Sequence, residues 1–493
     1  MKQLLLAGLA LFWASPGEAQ VPLTLDTSFR STFVLYPFLY DVLPLEDGSV
    51  VASGIFPLPA NGFGPYGLLK FLPNGSIDES WALEGGPNAA IHPHGSYFYL
   101  SGQAFPKRYF QSTGDFDYSF NVGSTNYPYP GLGIGNGGEI YVQEDGKVLF
   151  TGELPLAQQY GINAPGYYSL LRVNTDATLD STFEFRQTDG VIWSLEPTTQ
   201  SRFLVSGEYN TYEGIPAGRI LRIWPDGSLD TTFHTDIVKG FATAFFEQAN
   251  GRIIAGGHFV MANDPDTLHL IRLMPDGALD PSFNNHTDYK LLPNLSFGDF
   301  AFGLYATLPL GNGTMLVGGD FNYIDGQLRR GIALVDTAGN LLNMAFTGQG
   351  CGLTHDFNDD IDFFSGVSSI KMAPDGSIFV VGAFHGFDDG TVSDTSMNMI
   401  CKLHGLSVGI HELEQPVWSV RVFPNPGTEL LNIETDATGS IQVQVFDRTG
   451  RMALAATSAT GKIQMDTSRL AEGLYIIKSS TNKGSRVSKW TKQ

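Results

Sequence analysis

The sequence contains little cysteine, little positive charge and no long hydrophobic run. Only Cys351 and Cys401 occur among its 493 residues, which excludes a disulfide-rich scaffold and a CxxC zinc site. The two thiols either form one disulfide or remain free in the core. Lys and Arg total 29 against 50 Asp and Glu, and this net charge of −21 argues against nucleic-acid binding, which needs clustered basic residues. No segment reaches the roughly 18 apolar residues that a transmembrane helix needs.

Known catalytic and nucleotide-binding motifs are also missing. The patterns GxSxG, HExxH, Walker A and the EF-hand loop do not occur, and a GxGxxG match lies in a Pro/Gly-rich loop with no helix behind it. His92 and His94 offer two metal ligands without a nearby third, so we interpret this segment as an ordinary loop. Asp359, Asp360 and Asp362 form a carboxylate cluster that either binds Ca²⁺ or is a solvated acidic loop. We therefore expect no cofactor, with calcium at this cluster as the alternative.

Turn-forming and aromatic residues, in contrast, are both abundant. The chain has 58 Gly and 27 Pro, which cost a helix interior about 1 and 3 kcal/mol per site. Its 35 Phe and 19 Tyr exclude a disordered low-complexity chain. This combination predicts an all-β protein of many short strands joined by tight turns.

A five-residue phrase recurs along the chain at intervals of about 40 to 63 residues, a spacing typical of one propeller blade. Its copies are Leu25–Phe29, Ile77–Trp81, Phe116–Phe120, Leu179–Phe183, Leu229–Phe233 and Leu279–Phe283. The first and last residues of the phrase lie on one strand face and can fill the gap to the next sheet. The Asp in second place can accept hydrogen bonds from the following amides in an Asx-turn, so we interpret it as structural.

Each repeat contains a hairpin in which an apolar strand, a tight turn and a second strand ending in Gly follow one another. The hairpins begin near Val42, Ile91, Ile140, Val191, Phe241, Phe302 and Val367. The phrase Leu25–Phe29 precedes the first hairpin, whereas the last repeat ends at Ile400–Leu403 without a phrase. An N-terminal strand that completes the last sheet reconciles both facts and removes exposed sheet edges. We predict a seven-bladed β-propeller over residues 20–407, with an open β-solenoid as the structural alternative.

The best-preserved repeats carry a family resemblance. Pro225–Phe233, together with the Gly-Gly-x-Phe segments Gly256–Phe259 and Gly318–Phe321, resembles the delta-60 repeat family of bacterial exported proteins. The resemblance implies a propeller-like repeat and no established chemistry.

The residue after the glycine of the second strand is polar in five consecutive repeats. These residues are Gln103, Glu153, Glu208, His258 and Asp320. If they face one mouth of the ring, they form a convergent polar site for a ligand. The alternative is local pairing across the hairpin, of Glu153 with Arg172 and of Glu208 with Arg222.

The two ends of the chain predict export. Residues 1–19 are typical of a secretory signal peptide, with Lys2 before the apolar stretch Leu4–Trp13 and cleavage after Ala19. Residues 408–418 are a polar linker, and residues 419–493 alternate strands with turns, which indicates a small Ig-like β-sandwich.

Three motifs in the last module match the type A C-terminal sorting domain of the type IX secretion system. The matching residues are Pro424, Asn425 and Pro426, then Asp447, Gly450 and Arg451, then Gly473 and Tyr475, with a basic end at Lys489 and Lys492. The resemblance implies Sec export, recognition of the tail by the outer-membrane translocon, and release or attachment to surface lipopolysaccharide.

These observations predict a secreted or cell-surface protein, a monomer, whose propeller is a non-catalytic binding module for a glycan or protein ligand. One alternative is a propeller-type glycan-active hydrolase or lyase that uses carboxylates of the polar ring. Another alternative is a calcium-stabilised structural component of the cell envelope.

Overall fold

The computed structural model consists of β-strands, with one short 3-10 turn over Glu79–Trp81. It describes residues 23–31, 38–55, 67–81, 83–84, 90–101, 106–120, 137–156, 166–180, 182–183, 186–290, 303–310, 313–343, 346–356, 361–363, 366–404, 420–435, 440–446, 452–481 and 484–493. The predicted signal peptide and linker lie outside these residues. Within them, no helix has the length and apolar character needed to cross a membrane. The chain divides into two units, Met1–Val408 and Gly409–Gln493.

The first unit begins with β1 (Thr24–Leu25) and continues as antiparallel sheets that follow one another along the chain. Sheet 1 contains β2 (Phe38–Pro44), β3 (Val50–Ile55), β4 (Gly67–Phe71) and β5 (Leu83–Glu84); sheet 2 contains β6 (Ile91–His94), β7 (Tyr97–Leu100) and β8 (Lys107–Phe110); sheet 3 contains β9 (Gly137–Val142), β10 (Val148–Leu156) and β11 (Gly166–Val173). Sheet 4 contains β12 (Val191–Pro197), β13 (Phe203–Glu208) and, after the hairpin β14 (Thr211–Tyr212) and β15 (Ile215–Pro216), β16 (Ile220–Ile223).

The remaining sheets of this unit are also built on three antiparallel strands, to which sheet 7 adds two more. Sheet 5 contains β17 (Ile237–Glu247), β18 (Ile253–Met261) and β19 (Asp264–Leu273); a side sheet of β20 (Tyr289–Lys290), β23 (Tyr323–Ile324) and β24 (Gln327–Leu328) flanks sheet 6, which contains β21 (Leu304–Pro309), β22 (Met315–Gly319) and β25 (Ile332–Val335). Sheet 7 contains β26 (Gly350–Cys351), β29 (Val367–Met372), β30 (Ile378–Asp388), β31 (Ser393–His404) and β1, and β27 (Thr354–Asp356) pairs with β28 (Ile361–Phe363).

Tight turns explain why each hairpin forms where it does. Gly48 and Gly251 have φ of 79°, a conformation that favours glycine and suits the turn between two twisted strands. The preceding Asp47 fixes its turn, because its Oδ1 accepts a hydrogen bond of 2.9 Å from the amide of Ser49. The Asp-Gly and Asn-Gly pairs of the sequence therefore set the strand order locally.

The glycine that ends each second strand is required by close approach within its own hairpin. A Cβ at Gly207 would lie 1.9 Å from the carbonyl oxygen of Val191, and one at Gly257 would lie 2.2 Å from that of Phe241. The first strands β2, β12, β17, β21 and β29 each contain a register shift just after this point. The shift brings the two backbones together, which only glycine tolerates.

The first strands of sheets 1 to 7 contact one another in a closed cycle. β2 contacts β6, and the contacts continue through β9, β12, β17 and β21 to β29, which contacts β2 again. The cycle encloses a space that we call the central channel. The first unit is therefore an all-β, propeller-like domain rather than an open stack.

The N-terminal strand completes sheet 7. Leu25 pairs with Leu403, and the amide of Asp26 donates a hydrogen bond of 2.8 Å to the carbonyl of Lys402. The amide of Leu25 also donates to Oδ2 of the buried Asp389, at 2.6 Å. The pairing predicted between the two ends of this region is present.

The hydrophobic core lies between neighbouring sheets, so the repeated phrases join one sheet to the next. Phe29 is fully buried and its ring lies 5.3 Å from that of Phe379 in sheet 7 and 6.3 Å from that of Phe71 in sheet 1. Cys351 and Cys401 are buried in the same cluster as Leu25, and both are free thiols.

The Asp of the phrase is part of a repeated clamp with an Arg of the third strand. In sheet 5, Oδ1 of Asp280 accepts hydrogen bonds from the amide and hydroxyl of Ser282, the contacts expected of an Asx-turn. Its Oδ2 accepts from Nε of Arg272 at 2.8 Å, and Arg272 lies over the ring of Phe283. Arg272 also donates to the carbonyl of Thr337 in the turn of sheet 6, at 2.6 Å. The clamp therefore connects neighbouring sheets, and Arg108, Arg172 and Arg222 repeat it.

The second unit consists of two antiparallel sheets. One contains β32 (Val420–Phe423), β33 (Leu430–Thr435) and β36 (Lys462–Asp466); the other contains β34 (Ile441–Phe446), β35 (Met452–Ser458), β37 (Gly473–Thr481) and β38 (Gly484–Lys492). Alternate residues of both sheets share one hydrophobic core, in which Trp490 is fully buried.

Candidate functional site

Five ionisable side chains lie on five of the first strands that surround the central channel, and we call them the channel cluster. They are Asp41 on β2, His92 on β6, Glu139 on β9, Glu196 on β12 and Lys371 on β29. Lys371 interacts electrostatically with Asp41, Glu139 and Glu196, which belong to three different sheets. Because side chains two apart share a strand face, the same face of each first strand supplies the group.

Asp41 in sheet 1 and Lys371 in sheet 7 form an ion pair at the place where the ring of sheets closes. The carboxylate of Asp41 accepts hydrogen bonds from the hydroxyl of Ser369 at 2.6 Å and the amide of Ile91 at 2.9 Å. Nζ of Lys371 lies 3.7 Å from Oδ1 of Asp41, and this carboxylate is the largest cause of the raised pKa of Lys371. Protein atoms surround Lys371, yet 46% of its side chain is exposed, as expected for a group in a water-filled channel.

His92 and Glu139 form a second, less complete pair. Nε2 of His92 lies 2.5 Å from Oε1 of Glu139 across the boundary between sheets 2 and 3. Within the part of the chain that the structure describes, neither atom makes a hydrogen bond of good geometry, and both are buried. The pair therefore retains hydrogen-bonding capacity that the protein itself does not use.

Glu196 has no side-chain partner among the described residues. Enclosure by the protein raises the pKa of its carboxyl to about 8, and the nearby Glu139 raises it further while Lys371 opposes the shift. At neutral pH this carboxyl is largely protonated.

The sequence did not reveal this cluster, although His92 was noted as a possible metal ligand. His92 and His94 lie on strand β6 rather than in the loop that we expected. The available signal was a charged residue within an otherwise apolar first strand. Aligning the repeats on the glycine of the second strand would have shown that these charged residues occupy related positions in the first strands.

The structure brings together two of the five residues predicted to form a polar ring. Glu208 is exposed at the end of β13 and lies close enough to His258 on β18 to raise its pKa, against the larger lowering caused by burial of the imidazole. Gln103 lies outside the described residues, as does the side chain of Glu153. The predicted alternative, pairing of Glu208 with Arg222, is wrong.

Arg222 is engaged by the clamp instead of by Glu208. Its Nε donates to Oδ2 of Asp230 at 2.7 Å, because the phrase turn brings this carboxylate next to the third strand. Arg172 makes the corresponding hydrogen bond to Asp180, at 2.8 Å.

Asp320 is buried and hydrogen-bonded within its own sheet. Its carboxylate accepts from the amide of Gly303 at 2.9 Å and from the hydroxyl of Tyr305 at 3.1 Å. Burial raises the pKa of Asp320 to about 6. These contacts fix the entry into β21.

The predicted calcium cluster falls largely outside the described residues. Asp359 and Asp360 lie outside them, and only the backbone of Asp362 is described, in β28. Among the described residues, no group of three or more His, Cys, Asp or Glu side chains is arranged to hold a metal ion.

Within the second unit, the sorting-tail residues that the structure describes bind the segment around Asn425 to the last strand, β38. Asn425 donates to the carbonyl of Lys489 at 2.9 Å and accepts from the amide of Thr491 at 3.1 Å. The indole of Trp490 donates to the carbonyl of Pro424 at 2.7 Å, and the hydroxyl of Tyr475 donates to a nearby backbone carbonyl at 2.9 Å. The side chain of Asn425 thus binds the backbone of β38 through both its amide nitrogen and its carbonyl oxygen.

The other tail-motif residues contribute backbone shape or charge. Pro426 follows Asn425 in the same segment, Gly473 has φ of 148° at the start of β37, and Lys492 is buried at the end of β38. Asp447, Gly450 and Arg451 lie outside the described residues.

Two family models match parts of the chain. A secretion system C-terminal sorting domain matches residues 421–493, and a beta-propeller domain of unknown function (DUF5122) matches residues 202–233 and 248–283. The chain is thus a propeller protein with a type IX secretion tail, which directs it to the cell surface or the extracellular space. No curated protein matches the chain in sequence.

Solved structures similar to the chain include two from bacterial envelopes. One is the extracellular domain of a putative hybrid two-component system from B. thetaiotaomicron, with 12% identity and a TM-score of 0.40 over 96% of this chain. The chain spans 58% of the length of that protein. The other is PorZ, a surface component of the type IX secretion system of Porphyromonas gingivalis, with 11% identity and a TM-score of 0.20, covering 94% of this chain and 82% of PorZ.

Proposed function

We propose that this is a secreted or surface-exposed binding protein whose ligand site lies in the central channel of a seven-bladed propeller. In this proposal sheets 1 to 7 are the blades, the propeller is non-catalytic, and an Ig-like C-terminal domain serves secretion. The proposal rests on one observation, the convergence of the channel cluster from five first strands. Buried polar atoms of His92 and Glu139 that lack good hydrogen bonds are the kind of groups that a ligand completes.

The predicted ring residues have a secondary place in this proposal. Glu208 pairs with Val191 at the start of β12, and His258 pairs with Phe241 within β17, just before the register shift of each strand, so we place both at one entrance of the channel. A ligand that fills the channel would reach Glu208 and His258 at its outer end. Gln103 and the side chain of Glu153 stay predicted ligand contacts outside what the structure describes, whereas the carboxylate of Asp320 is used within its own sheet.

Binding to the full mature chain tests the proposal with a library of glycans, peptides and small charged molecules. We expect Lys371→Met and Glu139→Gln each to change the affinity for the ligand found by at least about tenfold, since each removes a charge from the channel cluster. Lys290→Met is the matched control, because Lys290 is an exposed lysine that pairs with Asp288 outside the channel. Circular dichroism confirms folding of each variant. Equal binding by all variants would place the ligand site elsewhere.

A propeller-type hydrolase or lyase is the second candidate function. Glu196 is protonated near neutral pH and lies near Glu139, the combination that a general acid and a general base require. The same library is therefore assayed for product formation. Turnover that Glu196→Gln abolishes while binding persists would favour the enzyme, and binding without turnover favours the binding module.

A further inference from the structure

We propose that the channel cluster binds a small organic cation through a primary ammonium group placed between Glu139 and Glu196. This inference rests on the proposed function, because it specifies the chemical class of ligand for the same site. A slender diamine is the simplest molecule with the required chemistry.

The charges of the channel cluster favour a cation. Once Glu196 has lost its proton, three carboxylates, of Asp41, Glu139 and Glu196, face one fixed cation, Lys371, and one imidazole, His92. Asp41 is already satisfied, since it binds Lys371, a hydroxyl and an amide. The unsatisfied acceptors are therefore the carboxyl groups of Glu139 and Glu196.

Other ligand classes fit the same groups less well. An anion would face the three carboxyl groups, and Lys371 is the only fixed cation among the members of the cluster and is already paired. A divalent metal lacks the necessary arrangement of ligands among the described residues. A primary ammonium is a compact cation with three N–H donors, which matches carboxylate oxygens on two neighbouring strands.

Binding of a cation would displace the proton of Glu196, so affinity should depend on pH. The pKa of about 8 falls when a cation lies beside the carboxylate, and ligand and proton then compete. Affinity rises with pH between 6 and 8, by up to about tenfold per pH unit.

The groups around Glu196 do not reverse this trend. Lys371 keeps its charge between pH 6 and 8 because the carboxylate of Asp41 raises its pKa. Tyr141 stays neutral because burial and the nearby carboxylates of Glu144 and Glu196 raise its pKa.

Isothermal titration of the full mature chain in 0.15 M NaCl tests the inference with 1,4-diaminobutane, the matched neutral 1,4-butanediol and the anion succinate. We expect the diamine alone to bind, with proton release measured in buffers of different ionisation enthalpy. Affinity should fall at least about tenfold from pH 8 to pH 6. Glu196→Gln should weaken binding and abolish the pH dependence, whereas Lys290→Met should change neither.

The outcomes separate this inference from the proposed function. If the diol, succinate or a library ligand binds in a manner sensitive to Lys371→Met while the diamine does not bind, the cation inference is overturned and the channel site stands. Diamine binding that Glu196→Gln leaves unchanged reflects the overall negative charge and also overturns the inference. If no ligand is sensitive to the channel variants, the proposed site itself fails.

Discussion

An Asp280→Ala chain is expected to unfold with a free energy about 3 to 5 kcal/mol below that of the wild type. Asp280 is 2% exposed, and its carboxylate receives Arg272 at 2.8 Å and Arg252 at 2.9 Å. Its removal leaves two guanidinium groups without their carboxylate, one of them buried, and releases the link from Arg272 to the next sheet. Urea unfolding followed by circular dichroism measures the loss.

The chain contains a matched control for the clamp. Asp78 occupies the same position in its phrase, is only partly buried, and accepts hydrogen bonds from Ser80. Asp78→Ala should therefore cost only about 1 kcal/mol, the typical value of a lost cap. Equal losses for the two variants would show that the ion pairs of Asp280 do not stabilise the ring.

Phe29→Ala is expected to lower the free energy of unfolding by about 3 to 5 kcal/mol, the usual cost of removing a buried phenyl ring. Phe29 is fully buried between the last and first sheets, against Phe379 and Phe71. The substitution leaves a cavity at the seam where the ring closes. The same urea unfolding experiment measures the effect.

Tyr118→Ala is the control for this seam, because 69% of Tyr118 is exposed on its own phrase. Its substitution should change the free energy of unfolding by no more than about 0.5 kcal/mol. A loss below about 1 kcal/mol for Phe29→Ala would mean that the N-terminal phrase does not hold the seam together.

Local chemistry explains why the sequence predicted the repeating part of the fold. Asp47 and Gly48 determine a hairpin turn with contacts that span only a few residues. The Asx-turn of Asp280 is equally local, since its partner Ser282 lies two positions away. Closure by Leu25 was predictable because one phrase precedes the first hairpin and the last repeat ends without a phrase of its own.

The channel cluster was not predictable because it depends on the register between strands and between sheets. In β12 the register shift between Ile192 and Ser194 changes which residues face the channel beyond it. Glu196 and Glu139 are brought together by packing of sheet 4 on sheet 3, which no short sequence segment encodes. The partner of Arg222 was mistaken for a similar reason, because a turn supplied Asp230 in place of the cross-strand neighbour that we expected.

An engineered disulfide between Leu25→Cys and Leu403→Cys, in a chain with Cys351→Ala and Cys401→Ala, tests ring closure most directly. The hydrogen bond from Asp26 to Lys402 makes Leu25 and Leu403 a non-hydrogen-bonded pair, whose Cα atoms lie about 4.5 Å apart in a regular ladder. Peptide mass spectrometry should find the two cysteines joined within one chain in nearly all of the oxidised protein. Two free thiols after oxidation, or joining only between chains, would mean that the ends do not share a sheet and that the channel does not exist.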